Sequence, residues 1–323
     1  MAGRQLKEIF RAFQSGDEIS FRRAAVSIVE EEESKHHIAL ARDLRQILAE
    51  PGRTSPPSHD VGSIPLDKDA SIPLAEYREP TKAIADLVLG AAQQAQIESL
   101  INEVRFWPEL DKRGVPRRQK IIFFGTPGCG KSSAAECIAA ELSLPLLIVR
   151  VDSVVSSLLG ETSSNLRKLF DYAADHPSVL LFDEFDALGK ARTDASEHGE
   201  IRRVVNAFLQ LMDGFTGKSL IIAATNHESA LDPALWRRFD DVVEFPLPTV
   251  HQLRRVIRLR LQAVRKQGVD VDQVASRLKG LPYAAAESVV WDAIRRSIVT
   301  GRQSVQVEDV ELALQSALRR PWI

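Results

Sequence analysis

The eight residues Gly125-Thr126-Pro127-Gly128-Cys129-Gly130-Lys131-Ser132 follow the apolar run 121–124 and open a helix-forming stretch that runs to Leu142. G-x-x-x-x-G-K-S between a strand and a helix is the pattern of a phosphate cradle. Its glycines let the backbone turn tightly enough for several N–H groups to converge on one anion, and the helix behind adds its positive end. In such a loop Lys131 neutralises β- and γ-phosphate charge, and the Ser132 hydroxyl ligates Mg²⁺.

Two further strand ends carry matching chemistry. Val179-Leu180-Leu181-Phe182-Asp183-Glu184 is an apolar strand that finishes on two carboxylates. Asp183 can hold Mg²⁺ through water, and Glu184, pointing differently, can orient or deprotonate an attacking water; Asp186 is read as structural. Leu220 to Asn226 finishes on an amide that either positions the same water or senses the γ-phosphate, or else caps the turn. Arg237 and Arg238 precede another strand. Their planar guanidinium forks suit the charge on a transferring phosphoryl group, unless they bridge Asp240 or Asp241 at the surface.

These groups need a scaffold that brings strand ends together. KIIFF, PLLIVRV, SVLLFD, SLIIAATN and DVVEFPLP are short apolar runs separated by helical patterns. Continuously apolar strands alternating with helices require a parallel sheet covered on both faces, with ligands at the carboxyl ends of the strands. The expected fold class is therefore α/β, a doubly wound parallel sheet of five strands. After Pro248 the strands stop, and helical periodicity resumes through HQLRRVIRLRLQAVRK, AAAESVVWDAIRRSIV and VEDVELALQSAL as a C-terminal helical lid. Before the sheet, Leu6, Ile9, Phe10 and Phe13, then Phe21, Ala24, Ala25 and Ile28, then Leu40, Leu44, Ile47 and Leu48 repeat at helical spacing. The expected organisation is an N-terminal helical domain over 1–50, a Pro/Ser/Gly linker over 51–79, the large α/β domain over 80–248 and the lid over 249–323.

Composition narrows the function classes. The 323 residues carry 42 Lys and Arg against 44 Asp and Glu, a net charge of −2, so no global basic field points to nucleic acid. The two cysteines, Cys129 and Cys137, sit in or beside the glycine loop, which suits a reducing compartment better than a disulfide framework. Cys129 reads as a small apolar residue rather than a redox switch. No secretory leader or membrane-length apolar run is seen, and a cytoplasmic location is expected. His36-His37 lack companion ligands, and the absence of H-E-x-x-H excludes a fused zinc protease. Arg254, Arg255, Arg258, Arg260 and Arg265 could touch nucleic acid, but read better as a solvated lid helix.

From about Pro80 to Ala317 the chain resembles the AAA family of ATPases. GTPGCGKS is similar to the family's Walker A, LLFDEFD to its Walker B with catalytic glutamate, and AATN to its sensor-1 asparagine. LMDGF, Leu211 to Phe215, is similar to the inter-subunit signalling segment of AAA protease ATPases, and LDPALWRRFDDVVEFPLP to the second region of homology. GLPYAAAE, from Gly280, takes the place of the lid motif G-x-S-x-A-D/E, with Pro282 where the family has serine. The resemblance implies ATP/ADP and Mg²⁺ as cofactors. Nucleotide contacts would come from Gly125, Thr126, Pro127, Gly128, Cys129, Gly130, Lys131, Ser132, Ser133 and the lid's Ala284. Ser132 and Asp183 would serve the metal, and Glu184, Lys131, Asn226, Arg237 and Arg238 catalysis. The two arginines would act on the neighbouring subunit's nucleotide, in a ring that is hexameric in the family.

The stretch Ser156 to Thr162 is similar to the family's central pore loop, with Leu158, Leu159 and Gly160 at its centre. Polypeptide-threading members usually have an aromatic at Leu158, and leucine offers less rigid contact area; packing of the two leucines inside the protein is the alternative. The leading expectation is a ring ATPase that remodels, unfolds or translocates a protein, possibly with a separately encoded partner such as a peptidase. A nucleic-acid-associated ATPase, as a loader or defence sensor, and a nucleotide-controlled scaffold are the alternatives.

Overall fold

A strand with no polar face has to be covered on both sides, and the order in which such strands pair decides which loops meet. The computed structural model describes residues 64–67, 72–149, 161–186, 198–228, 233–262 and 264–322, with residues 25 and 27. Apart from those last two, the helices expected over 1–50 lie outside the described residues, as do Leu158, Leu159 and Gly160. Contacts divide the chain into two compact units, Met1–His59 and Asp60–Ile323, and every element below belongs to the second.

In chain order the elements are β1 (Ala75–Arg78), α1 (Ala91–Arg105), α2 (Trp107–Lys112), β2 (Lys120–Gly125), α3 (Lys131–Leu142), β3 (Leu146–Val149), α4 (Glu161–Asp175), β4 (Val179–Phe182), α5 (His198–Gly214), β5 (Leu220–Thr225), α6 (Pro233–Trp236) and β6 (Asp241–Phe245). The strands form one six-stranded sheet in the order β1-β3-β4-β5-β2-β6. β2 to β6 are parallel, as their apolar runs require, whereas β1 joins the edge antiparallel to β3. The sheet thus has one strand more than the five expected, and it falls at the end of the stretch read as a linker. Only Ala75 of this strand is buried. An edge strand needs a single neighbour, so AEYR carries none of the apolar continuity that marks the other strands.

Alternate residues of each strand enter different cores, which is the physical content of the continuous apolar runs. Ile122, Leu180, Phe182, Ile221 and Ala223 pack under α4 and α5 against Leu166, Leu169, Phe170, Phe208 and Met212. Ile121, Phe123, Leu181, Ile222 and Phe245 pack under α1 and α3 against Ile97, Leu100, Ala135, Ile138 and Ala139. Each fully buried Ile or Phe contributes about 1.5–3 kcal/mol by leaving water. Phe182 also meets Phe208 edge-on at 5.2 Å between ring centroids. The sheet is doubly wound, as expected.

The lid comprises α7 (Val250–Arg260), β7 (Lys266–Gln267), α8 (Val271–Arg277), α9 (Tyr283–Val299), β8 (Val305–Gln306) and α10 (Val307–Leu318). α7 starts where a capping box forms: Thr249 N–H donates to Gln252 Oε1 at 2.7 Å, and Gln252 N–H to Thr249 Oγ1 at 3.3 Å. Leu253, Ile257, Ala275, Ala286, Val289, Ala293 and Leu314 form its core. The expectation that strands end at Pro248 needs one correction, because β7 and β8 pair in parallel. Two-residue strands are too short to leave a periodic signature.

Candidate nucleotide site

Pairing order converts the three strand-end motifs into one place. β5 lies between β4 and β2, with Phe182 opposite Ala223 and Phe124 opposite Thr225. The turn after β4 (Asp183, Glu184), the residue after β5 (Asn226) and the glycine loop after β2 therefore leave the sheet side by side, at its carboxyl end.

The loop can follow its path only because two positions lack a side chain. At Gly125, with φ +131°, a Cβ would lie 2.3 Å from the Phe245 carbonyl oxygen of the adjacent strand. At Gly128, with φ +69°, it would lie 2.8 Å from Ala284 Cβ at the start of α9. There the lid touches the loop directly, and Ala284 N–H donates to the Gly128 carbonyl at 3.1 Å. Both positions are the close backbone approaches for which glycine is used.

Lys131 Nζ donates to the Gly125 carbonyl at 2.7 Å and to the Thr126 carbonyl at 3.0 Å. Gly125 and Thr126 thus brace the lysine from behind rather than face the cavity. Burial pulls the pKa of Lys131 down, against the neighbouring Asp183 and Asp186 carboxylates. A polyanion restores the environment a buried ammonium lacks. Ser132 Oγ donates to Asp183 Oδ2 at 2.6 Å. A hydroxyl and a carboxylate oxygen held this close are hard donors of the kind Mg²⁺ takes, so the expected pair fits that ion. Among the described residues no cluster of three or more His, Cys, Asp or Glu could hold a metal. An ion here would draw its remaining ligands from phosphate and water.

Glu184 has φ +51°, a left-handed conformation that costs a non-glycine residue energy and breaks the strand's alternation. It lines the same cavity as Asp183 and Asn226. Asp186 is buried and accepts from Thr225 Oγ1 at 3.3 Å, under the loop that carries Asn226.

The cavity measures about 380 Å³, and Pro127, Gly128, Cys129, Gly130, Lys131, Ser132, Ser133 and Ala284 line it together with those three residues. Its walls also hold groups the sequence pattern did not connect with it: Lys82, Asp86, Leu87 and Val88 from the segment before α1, and Val256, Arg260, Tyr283 and Glu287 from the lid. Of these, Tyr283 and Glu287 fall within the lid motif GLPYAAAE, and Arg260 within a run of arginines whose spacing resembles a solvated face. It instead pairs with Glu287 at 2.7 Å. Cys129 is buried, and desolvation raises its pKa in spite of Lys131. Cys137 is pushed up to about 12, by burial first and then by Glu136. Neither thiol has the activated character a redox switch needs.

Arg237 and Arg238 are exposed and do not line this cavity. Arg238 pairs with Asp213 at 3.2 Å. Asp240 and Asp241 are engaged elsewhere: Asp240 Oδ2 accepts from Gln119 N–H, and Asp241 Oδ2 from Arg118.

Residues 121–247, the sheet from β2 to the end of β6, match the ATPase family associated with various cellular activities (AAA). The chain is 41% identical over 320 residues to an uncharacterized AAA family ATPase of Sinorhizobium fredii, covering 98% of this chain and 96% of that one. It is 31% identical over 267 residues to a proteasome-activating nucleotidase of Thermococcus onnurineus, covering 80% of this chain and 67% of the relative. A 26S proteasome regulatory subunit 8 homolog of Schizosaccharomyces pombe is 30% identical over 268 residues, covering 80% and 66%. The chain belongs to the AAA family of ATPases. It is an ATP-hydrolysing enzyme related to the proteasome regulatory ATPases.

Proposed function

We propose that this ATPase assembles into a homo-oligomeric ring, hexameric as the family resemblance implies, and spends ATP hydrolysis on remodelling, unfolding or translocating a protein substrate in the cytoplasm. The observation that carries this reading is the convergence of the phosphate loop, Asp183, Glu184 and Asn226 on one cavity. The likeness to a proteasome-activating nucleotidase supports the choice of a protein substrate and of a separately encoded partner such as a peptidase.

In the proposed mechanism the loop's N–H groups and Lys131 bind the β- and γ-phosphates, and Ser132 and Asp183 would hold Mg²⁺, whose chemistry there would be neutralisation of phosphate charge. Glu184 polarises the attacking water, and Asn226 orients it. Arg237 and Arg238, set outside their own cavity, serve a neighbour's γ-phosphate, so hydrolysis depends on assembly. Gly128 and Ala284 tie the lid to the loop, which gives nucleotide state a mechanical outlet. The N-terminal segment 1–50 recruits the substrate or partner, and Leu158 and Leu159 grip it.

A nucleic-acid role would need free basic charge on α7. Arg254 and Arg258 both reach Asp272 and Arg260 reaches Glu287, so that of α7's four arginines only Arg255 has no ion pair among the described residues, which supports the protein-substrate reading instead. Electron microscopy of Glu184→Gln with ATP and its co-purifying proteins tests the proposal. A closed ring with polypeptide in its channel is expected. Particles that stay monomeric at saturating ATP contradict it.

A further inference from the structure

The segment before α1 brings a second lysine to the nucleotide cavity. Lys82 Nζ lies 2.9 Å from Glu136 Oε2 and 3.2 Å from Ser133 Oγ. The Glu136 side chain is only 7% exposed, a depth at which a carboxylate needs a cation beside it. Thr81 Oγ1 donates to the same carboxylate at 3.4 Å, and Cys137 Sγ donates to the Ala83 carbonyl at 3.4 Å. Ser133, Glu136 and Cys137 stand three and four residues apart on one face of α3. Lys82 is therefore fixed against the first turns of the phosphate helix by ties on both of its chain neighbours.

An ammonium has three protons to donate. Glu136 and Ser133 take two, and no further acceptor is found among the described residues. Lys82 itself lines the cavity. Asp86, the carboxylate of the same segment that also lines the cavity, accepts from Ala83 N–H at 3.0 Å and so caps its own turn.

Position decides which part of a nucleotide Lys82 can reach. The γ end is marked by Asp183, Glu184 and Asn226, and Lys131 is anchored on the carbonyls of Gly125 and Thr126. Leu87, Val88, Val256 and Tyr283 provide the apolar wall that suits a base. A cation on the segment that carries Leu87 and Val88, touching the residue after Ser132, stands between the base and the loop. We infer that Lys82 is a second nucleotide-binding cation, which contacts the α-phosphate while Lys131 serves the β- and γ-phosphates, and that buried Glu136 holds it in place. The inference rests on the phosphate-loop reading and adds a residue outside that motif.

Competition binding against a fluorescent ADP analogue, with full-length protein, tests it. Lys82→Gln keeps donors for Glu136 and Ser133 and removes the charge. It should weaken ADP and AMP by the same factor, about tenfold, with adenosine unchanged. Lys82→Arg should recover most of the loss. Unchanged ADP and AMP affinity overturns the inference, and so does an equal loss for adenosine, which would mean that Lys82 only shapes the wall. Lys131→Ala separates this from the underlying reading, because it should weaken ADP far more than AMP. Should Lys131→Ala leave ADP binding intact, the phosphate-loop reading itself fails. Should only Lys82→Gln be silent, this inference fails alone.

Discussion

Ser132 Oγ and Asp183 Oδ2 lie 2.6 Å apart, although fifty-one residues of sequence and one strand of the pairing order separate them. The contact joins the end of β4 to the start of α3 across the intervening β5. Replacing either partner should leave the fold intact and remove one oxygen from a magnesium site. Asp183→Asn is expected to lower kcat/KM for ATP by at least about a hundredfold, the several kcal/mol a catalytic metal supplies. Nucleotide binding measured in EDTA should barely change. Equal losses with and without Mg²⁺ would assign the pair a structural role.

Gly128 is constrained twice, by its φ of +69° and by Ala284. Gly128→Ala is expected to lower stability in thermal denaturation by about 1–2 kcal/mol from backbone conformation alone, and to weaken nucleotide binding as the lid is pushed off. Adding Ala284→Gly removes the contact but not the φ penalty, so it should restore part of the loss. Full recovery would show that crowding alone matters.

Burial raises Cys129 and takes Cys137 to about 12. Both should resist iodoacetamide at pH 8 in the folded protein and react promptly in urea, since only the thiolate attacks. The pH dependence has a definite sign. A folded pKa above the unfolded value means the native state holds the proton more tightly, so this contribution is complete below about pH 9 and is lost as pH rises toward 12. Denaturant midpoints should fall over that window, and less steeply for Cys137→Ala. A midpoint that rises with pH there would contradict the assignment.

Arg237 and Arg238 stand away from their own cavity, so their proposed role is testable by mixing. Subunits with both changed to alanine, and subunits with Glu184→Gln, should each be inactive alone. Mixed together they should regain turnover, because an intact glutamate then meets intact arginines across a seam. A mixture as inactive as its parts would place the arginines elsewhere in the mechanism.

The sheet was legible because its strands are buried on both faces, a demand that leaves nearly unbroken apolar runs in β2, β4 and β5. β1 was not, since an edge strand with one buried residue satisfies its single neighbour without any pattern. β7 and β8 were missed because two residues hold no period. The phosphate loop and the ends of β4 and β5 announced themselves by residue type and spacing. The far walls of the cavity did not: Lys82 belongs to a segment without periodicity, and Arg260 resembles surface charge until its partner Glu287, one helix away, comes into view. Such groups are defined by tertiary proximity alone. The boundary expected over 51–79 and the roles of segment 1–50 and Leu158 remain proposals resting on composition and resemblance.

The most direct test of the central claim, that the cavity between the glycine loop and Glu184 binds and hydrolyses ATP, is to measure MgATP affinity and turnover together for the wild type and for Glu184→Gln. The account predicts equal binding within about twofold, with turnover reduced by roughly a hundredfold or more, the usual contribution of a positioned base. Undiminished turnover in Glu184→Gln, or a wild-type protein with no affinity for MgATP, would contradict it.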